Sequence, residues 1–236
     1  MLPKAVLYLS LLFPVALAGD DFSLQWAICD HSPQHTLQKL GIDPSTPPYK
    51  ENPITYYDEL PPVYIHSGVM FRTKTHGGEP LSTIKVRFGQ DTASAPSNGN
   101  CTWAQYGQNE PAYTCETRAW LDRSEPNHLW HDEQVEFVQR YKQVDWDALV
   151  PYGPYANAKW KLKIAGHKVT FDDVAAGNLH LMEIEVNVDK SHAHKVQKAI
   201  TKRLKKAGVV LCKPQQGKTM RLFEDLGYLD DMAMEL

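Results

Sequence analysis

Basic residues alternate along two neighbouring segments of the chain and could together bind an anion. Arg72 and Lys74 share one face of a predicted strand, and Lys85 and Arg87 share one face of the next. The sequence Gly77-Gly78-Glu79-Pro80 between them predicts a turn, so the two segments form a hairpin. Guanidinium and ammonium groups in this pattern suit phosphate, carboxylate or enolate oxygens.

Later segments alternate in the same way and predict further strands with one charged face. These faces carry Glu116, Arg118 and Trp120; Lys159, Lys161 and Lys163; and Glu183 and Glu185. Two arrangements remain open at this level. Either the charged faces are solvated and the apolar faces form the core, or the sheet closes into a barrel with the charges inside. If the faces converge, cations outnumber carboxylates and the interior attracts an anion or an electron-rich oxygen ligand.

The order of these residues resembles the CYTH, or triphosphate-tunnel, family between about residues 54 and 210. The family pattern runs Tyr-x-Asp-Thr, Leu-x-x-x-Gly, Leu-Arg-x-Arg and Thr-Leu-Lys. The matching residues are Tyr57 and Asp58, Gly68, Arg72 and Lys74, and Thr83 and Lys85, with Glu183 and Glu185 as the family's Glu-x-Glu strand. The resemblance implies an α+β fold of mostly antiparallel strands, closed or nearly closed into a barrel or tunnel with a few covering helices.

The chain departs from this family at its first strand, residues 22–28. The family's metal-dependent enzymes begin with Glu-x-Glu-x-Lys, whose carboxylates hold a divalent metal. Here the strand contains Leu24-Gln25-Trp26-Ala27-Ile28. Magnesium requires several oxygen ligands, and Glu183 and Glu185, even joined by Glu116, replace that set poorly. We therefore expect no cofactor, with magnesium or manganese as the alternative.

The first residues predict export of the protein. Residues 1–18 combine Lys4, a short apolar run and Ala16-Leu17-Ala18, which together indicate a secretory signal peptide cleaved at about residue 18. We expect a single domain over residues 19–236, secreted or in the lumen of the secretory pathway, with no membrane span. The formal net charge of −3 disfavours nucleic acid as a partner.

The four cysteines suggest two disulfides in an exported chain. Three pairings are available, and we favour Cys101–Cys115, within a hairpin, together with Cys29–Cys212. The triplet Asn100-Cys101-Thr102 is a glycosylation sequon and predicts sugar at Asn100. Helices are predicted over residues 35–40, 133–141, 191–207 and 219–226, and the Pro- and Gly-containing residues 145–155 are predicted to form a loop. The strand with Lys159, Lys161 and Lys163 and the strand with Glu183 and Glu185 carry opposite charges and are expected to be neighbours.

The chemistry of these residues supports three functional hypotheses. The first is an enzyme that uses the cationic, aromatic-lined barrel for a cofactor-free cyclisation of an anionic or oxygen-rich organic molecule. In its size, leader, cysteines and sequon the chain also resembles the secreted fungal hetero-Diels–Alderases of tropolone–sesquiterpenoid pathways. The alternatives are a triphosphate or polyphosphate phosphohydrolase, as the family resemblance implies, and a secreted binding protein without turnover.

The candidate site residues fall into two groups. The candidate catalytic residues are Arg72, Lys85, Glu116, Lys161 and Glu183. The candidate ligand-binding residues are Tyr57, His66, Lys74, Arg87, Arg118, Trp120, Lys163 and Glu185.

Overall fold

The computed structural model describes residues 21–96, 100–122, 124 and 128–229. The strands within them are β1 (Asp21–Ile28), β2 (Lys50–Glu51), β3 (Ile54–Asp58), β4 (Val69–His76), β5 (Glu79–Gly89), β6 (Asn100–Tyr106), β7 (Ala112–Trp120), β8 (Val150–Ile164), β9 (His167–Ala176) and β10 (Leu179–Asp189). The helices are α1 (Pro33–Lys39), α2 (Asp132–Gln139), α3 (Lys190–Lys206) and α4 (Lys218–Asp225). Single 3-10 turns lie at Ile65–Ser67 and Trp146–Ala148.

The strands close into a barrel. Around the wall the order is β8-β3-β4-β5-β7-β6-β1-β10-β9, and the pairing of β9 with β8 closes the ring of nine strands. The short β2 continues the edge of β3 along β8. Neighbouring strands are antiparallel except β1 and β6, which are parallel. The expected mostly antiparallel barrel is therefore confirmed.

Most of the apolar core lies outside the barrel wall rather than within it. Val69, Phe71, Ile84 and Val86 of the β4–β5 hairpin pack under Val138 of α2. On the other side, outward residues of β1, β8, β9 and β10 form one cluster with α1 and α3, with the completely buried Trp26 among them. Burial of these faces stabilises the fold by about 25 cal/mol per Å² of apolar surface, and it leaves the other face of each strand pointing inward.

The helix α4 covers one end of the barrel. Its Leu222 and Phe223 are buried against Tyr56, Tyr152 and Leu181 of the wall. The rings of Phe223 and Tyr152 lie 4.9 Å apart, centroid to centroid. Such aromatic contacts add to the stabilisation from burial. The end covered by α4 is thus apolar, while the rest of the interior carries charge.

The local sequence explains the hairpins. The β4–β5 turn has Gly77 and Gly78 with φ of 61° and 88°, as a two-residue turn with two left-handed positions requires. The β8–β9 turn is of the same length and uses Ala165 and Gly166 with φ of 50° and 87°. Because β9 contains two aspartates, which are uncommon in strands, the sequence analysis did not predict it.

Two other expectations need correction. Residues 145–155 were expected to form a loop, yet from Val150 onward they belong to β8, where Tyr152 and Tyr155 pair with β3. The charged strands β8 and β10 were expected to be neighbours, but β9 lies between them. The helices at residues 33–39, 132–139, 190–206 and 218–225 agree with those predicted to within a few residues.

Both predicted disulfides are confirmed. Cys101 and Cys115 face one another across β6 and β7, and Cys29 and Cys212 join the end of β1 to the segment before α4. The signal peptide predicted for residues 1–18 lies outside the described residues. Asn100 is exposed at the start of β6, and its glycosylation stays a prediction. No helix in the described part of the chain has the length and apolar character needed to cross a membrane.

The two disulfides should differ in their contribution to stability. The Cys29–Cys212 bond spans 183 residues and the Cys101–Cys115 bond spans 14. In the chain-entropy model, closing these loops is worth about 5 and about 3 kcal/mol respectively. We therefore expect the double variant Cys29→Ser/Cys212→Ser to lose more free energy of unfolding than Cys101→Ser/Cys115→Ser, measured by urea denaturation. Equal losses would show that loop length does not govern their effect.

Candidate functional site

Charged residues of opposite sign lie on different parts of the barrel interior. Strands β4, β5 and β7 carry a group that we call the basic wall: Arg72, Lys74, Lys85 and Arg118. Strands β9 and β10 carry a second group that we call the acidic wall: Asp172, Glu183 and Glu185. The strand register gives each group one face, because side chains two residues apart point the same way.

A row of polar residues crosses the basic wall and leaves hydrogen-bonding capacity unused. Arg72, Thr83 and Arg118 lie opposite one another on β4, β5 and β7. The Arg72 Nε and the Thr83 Oγ1 are buried without a hydrogen-bond partner among the described residues. Buried polar atoms normally have partners, so this row is suited to a polar ligand. A guanidinium beside a hydroxyl can bind the oxygens of a phosphate group.

Glu116 partly compensates the basic wall. Its carboxylate forms ion pairs with Arg118 and with Lys85, whose Nζ lies 3.5 Å from Oε2. Burial raises the pKa of Glu116, but Lys85 and Arg118 outweigh that effect and hold the pKa below its ordinary value. Glu116 is thus ionised and orients two cations. Arg72 and Lys74 have no ion-pair partner within the described ranges.

The pKa of Lys74 is lowered by burial and by the neighbouring cations. Burial, followed by repulsion from Arg72, Lys159 and Arg118, lowers this pKa from 10.5 to about 7. An opposite charge nearby would favour the charged form of the amine. An anion bound beside Lys74 would therefore raise its pKa and be attracted by it in turn.

The acidic wall is neutralised from two directions. Asp172 forms ion pairs with Lys159 of the neighbouring β8 and with Lys218 of α4, whose Nζ lies 2.8 Å from Oδ1. The same Nζ lies 3.9 Å from Oε1 of Glu183. Although burial raises the pKa of Asp172, the two ammonium groups lower it far below its ordinary value. Glu185 accepts a hydrogen bond of 2.9 Å from the Ser23 hydroxyl.

Glu183 is a carboxylate of the acidic wall that can accept a further hydrogen bond or a proton. It is 6% exposed, and its Oε2 has no hydrogen-bond partner among the described residues. Burial raises the pKa of Glu183 in spite of the nearby Lys218, and repulsion from Glu185 and Asp172 adds to the shift. A carboxylate with a raised pKa can accept a proton from water near neutral pH.

The described residues of the interior do not offer the set of oxygen ligands that a divalent cation requires. On β1 the inward residues are Ser23, Gln25 and Ala27, where the metal-dependent triphosphate-tunnel pattern places Glu-x-Glu-x-Lys. Asp172 and Glu183 already contact the Lys218 ammonium. No group of three or more histidine, cysteine, aspartate or glutamate side chains in the described residues is arranged to hold a metal. The residues present therefore do not fit the metal that the resemblance implies.

Several predicted site residues do come together in the interior. Arg72, Lys74, Lys85, Glu116 and the half-exposed Arg118 belong to the basic side, and Glu183 and Glu185 belong to the acidic side. Arg87 lies at the end of this group, exposed, with its guanidinium carbon 5.6 Å from the centre of the Tyr106 ring.

The Tyr-Asp pair of the sequence motif has a structural role. Tyr57 points outward and packs edge-to-face on Trp130 with 5.4 Å between ring centres, whereas its neighbour Tyr56 lies in the interior. Asp58 accepts hydrogen bonds of 2.8–2.9 Å from four backbone amides between Glu59 and Ile65. The motif thus lies at a turn of the chain. The tyrosine that faces the interior is Tyr56, one position before the expected Tyr57.

Four other candidates are not brought into the interior. His66 is exposed on the 3-10 turn before β4. Lys161 and Lys163 follow Lys159 along β8 but are exposed, and the Lys161 ammonium lies 4.6 Å from the centre of the Tyr49 ring. Trp120, at the last position of β7, is 55% exposed. Alternation along a strand predicts which face a residue occupies, but it does not predict whether the strand extends beyond the barrel interior at that residue.

The sequence analysis missed two charged residues of the interior. Asp172 lies on the strand that was not predicted, although the alternation of Thr170 and Asp172 with Val169 and Phe171 could have revealed it. Lys218 lies at the start of α4, and nothing in the sequence around it signals that this lysine enters a barrel.

The comparisons with known proteins identify the fold. No family model matches the chain, and no curated protein matches it either. A candidate adenylyl cyclase from Hippeastrum, described as having a dominant triphosphatase activity, is 13% identical, with a TM-score of 0.54 over 84% of this chain and 92% of its own. A candidate adenylate cyclase from Bacillus halodurans is 13% identical, with a TM-score of 0.57 over 85% of this chain and 96% of its own. The expected triphosphate-tunnel-like barrel is therefore confirmed at the level of fold.

One functional hypothesis was wrong. The sequence analysis placed first a cofactor-free cyclisation enzyme similar to fungal hetero-Diels–Alderases. The similar structures are instead proteins named for adenylate cyclase and triphosphatase activities, which fit the phosphohydrolase alternative better. The resemblance to Diels–Alderases rested on size, the predicted signal peptide, the cysteines and a sequon, and such features carry no information about the site.

The lowered pKa of Lys74 gives a pH-dependent prediction. Because its pKa is about 7 in the folded chain and 10.5 ordinarily, the charged amine destabilises the fold fully below about pH 7 and less as the pH rises toward 10.5. Lys74→Met should therefore raise the melting temperature more at about pH 6 than at about pH 9 in phosphate-free buffer. Lys168→Met, at an exposed position of β9, is the matched control and should show no such difference. An equal gain in melting temperature at both pH values would contradict the lowered pKa of Lys74 in the folded chain.

Proposed function

We propose that the barrel interior binds the phosphate chain of an oligophosphate, such as inorganic triphosphate or a nucleoside triphosphate, and hydrolyses its terminal phosphoanhydride bond. The observation that carries the proposal is the row of Arg72, Thr83 and Arg118 beside Lys74. Among the described residues it offers two buried polar atoms without hydrogen-bond partners and two cations without an ion pair. A ligand with several negative charges would satisfy all of them together.

An oligophosphate fits this arrangement better than a single carboxylate would. The row crosses three neighbouring strands, and adjacent strands lie about 4.8 Å apart, so the cations are spread over a distance that one small anion does not span. Phosphate units of a chain can each meet a different cation. Two proteins of the same fold are named for reactions of triphosphates, which supports the proposal by analogy alone.

The proposed reaction uses water as the nucleophile. The oxygen of water bonds to the terminal phosphorus while the bond from that phosphorus to the bridging oxygen breaks. The products are orthophosphate and an oligophosphate shorter by one unit. Glu183, with its raised pKa and an Oε2 that has no hydrogen-bond partner among the described residues, accepts the proton of water, and the basic wall stabilises the charge on the bridging oxygen.

A specific observation favours a second function, oligophosphate binding without hydrolysis. The inward residues of β1 are Ser23, Gln25 and Ala27, none of which can hold a metal as carboxylates do. If the hydrolytic step depended on that metal alone, the interior would retain only its affinity for the anion. Binding and turnover therefore need separate measurements.

The binding part is tested by titration calorimetry with tripolyphosphate. We expect Arg72→Met to weaken binding at least tenfold, since a charge-assisted hydrogen bond to phosphate is worth about 1.5–3 kcal/mol. Lys168→Met, which removes an equal charge at an exposed position near the start of β9, should bind as the native chain does. Equal affinity of all three proteins would place the anion site elsewhere.

The catalytic part is tested by orthophosphate release from tripolyphosphate, with magnesium or manganese and with chelator. Glu183→Gln keeps the shape of the side chain but cannot accept the proton, so we expect turnover to fall at least a hundredfold while tripolyphosphate still binds. In the native protein, turnover should decrease as the pH falls through the raised pKa of Glu183. Tight binding without any orthophosphate release would favour the binding protein.

A further inference from the structure

Lys218 lies where the acidic wall needs a cation. Its Nζ is 2.8 Å from Asp172 Oδ1 and 3.9 Å from Glu183 Oε1, and its side chain is 13% exposed. Asp172 and Glu183 are direct partners across β9 and β10. A single ammonium therefore bridges two carboxylates that face each other inside the barrel.

The position of Lys218 is fixed by its surroundings. The segment before α4 is held to β1: Cys212 N–H donates to the Ala27 carbonyl at 3.0 Å, and the Gln215 side chain bonds to both the N–H and the carbonyl of Ala27. Next to this segment, the disulfide from Cys29 to Cys212 fixes it covalently. Beyond Lys218, Arg221 donates to the backbone carbonyls of Met182 and Ile28.

The charge balance of the acidic wall depends on this lysine. Burial lowers the pKa of Lys218, but Asp172 and Glu183 outweigh burial and raise it well above its ordinary value. The amine is therefore charged at every physiological pH. Without it, the Lys159 ammonium would face two buried carboxylates that repel each other.

We propose that the Lys218 ammonium takes the place of a divalent cation on the acidic wall, so that an oligophosphate binds in the barrel without metal. This inference rests on the proposed function for the identity of the anion. It makes Lys218 a positioning residue, since it neutralises Asp172 and Glu183 and so lets an anion approach. On this proposal, the lysine that α4 places on the acidic wall compensates for the carboxylates that are absent from β1.

The test is a titration with Mn²⁺, followed by electron paramagnetic resonance of the free ion, which requires no turnover. The native chain should bind Mn²⁺ weakly at most. Lys218→Met should bind Mn²⁺ at least tenfold more tightly, because it frees two adjacent carboxylates. Lys218→Arg, which keeps the charge, should behave as the native chain does.

A second variant keeps the test valid if Lys218→Met does not fold. Lys218→Met/Asp172→Asn removes one charge of each sign and leaves no pair of free carboxylates, so it should fold and bind Mn²⁺ no better than the native chain. Mn²⁺ binding by the native chain that is lost in Glu183→Gln would overturn the inference. Failure of Lys218→Met to gain affinity for Mn²⁺, once folded, would overturn it as well.

The titration of tripolyphosphate with chelator present completes the experiment. We expect its affinity for the native chain to be unchanged within a factor of two when Mg²⁺ is removed, and to fall at least tenfold in Lys218→Met. A tenfold loss on removal of Mg²⁺ from the native chain would contradict the inference. Absence of tripolyphosphate binding with the Mn²⁺ results as expected would overturn the proposed function and leave the role of Lys218 standing.

Discussion

The ion pairs inside the barrel are the interaction on which the rest of the structure depends. Closing nine strands into a ring removes one face of every strand from bulk water, and here those faces carry charge. A buried charge without compensation costs several kcal/mol. Lys159 and Lys218 compensate the charge of Asp172, and Lys85 and Arg118 compensate the charge of Glu116. Among the described residues Arg72 and Lys74 lack such partners, and that imbalance leaves the basic wall with a net positive charge.

The position of the apolar core follows from the same constraint. Since the interior is charged, the hydrophobic residues must be buried on the outer side of the wall, and the helices α1, α2 and α3 provide the covering layer. The end covered by α4 is apolar inside. The helix α4 therefore has two roles. It buries Leu222 and Phe223 at the barrel end and places a lysine on the acidic wall.

The sequence analysis was accurate where a pattern is local. Alternation of charged and apolar residues predicted the β4–β5 hairpin, a charged face on each of its strands, and the strand with Glu183 and Glu185. It failed at β9, where two aspartates obscured a strand, and at Lys161 and Lys163, which continue the right face beyond the interior. Alternation tells which side a residue faces, but the depth of that residue depends on how far the neighbouring strands extend.

The sequence by itself determined the strand faces and the absence of carboxylates from β1, because both depend on residue type and spacing along the chain. It favoured the cysteine pairing that the structure shows but left two other pairings open. Only the tertiary structure decided that the sheet closes, since closure depends on the pairing of β8 with β9, which was not predicted. Only the tertiary structure brought Lys218 to Asp172 and Glu183, which precede it by 46 and 35 positions in the chain. No local rule connects residues so far apart, and their meeting follows from the packing of α4 on the barrel end.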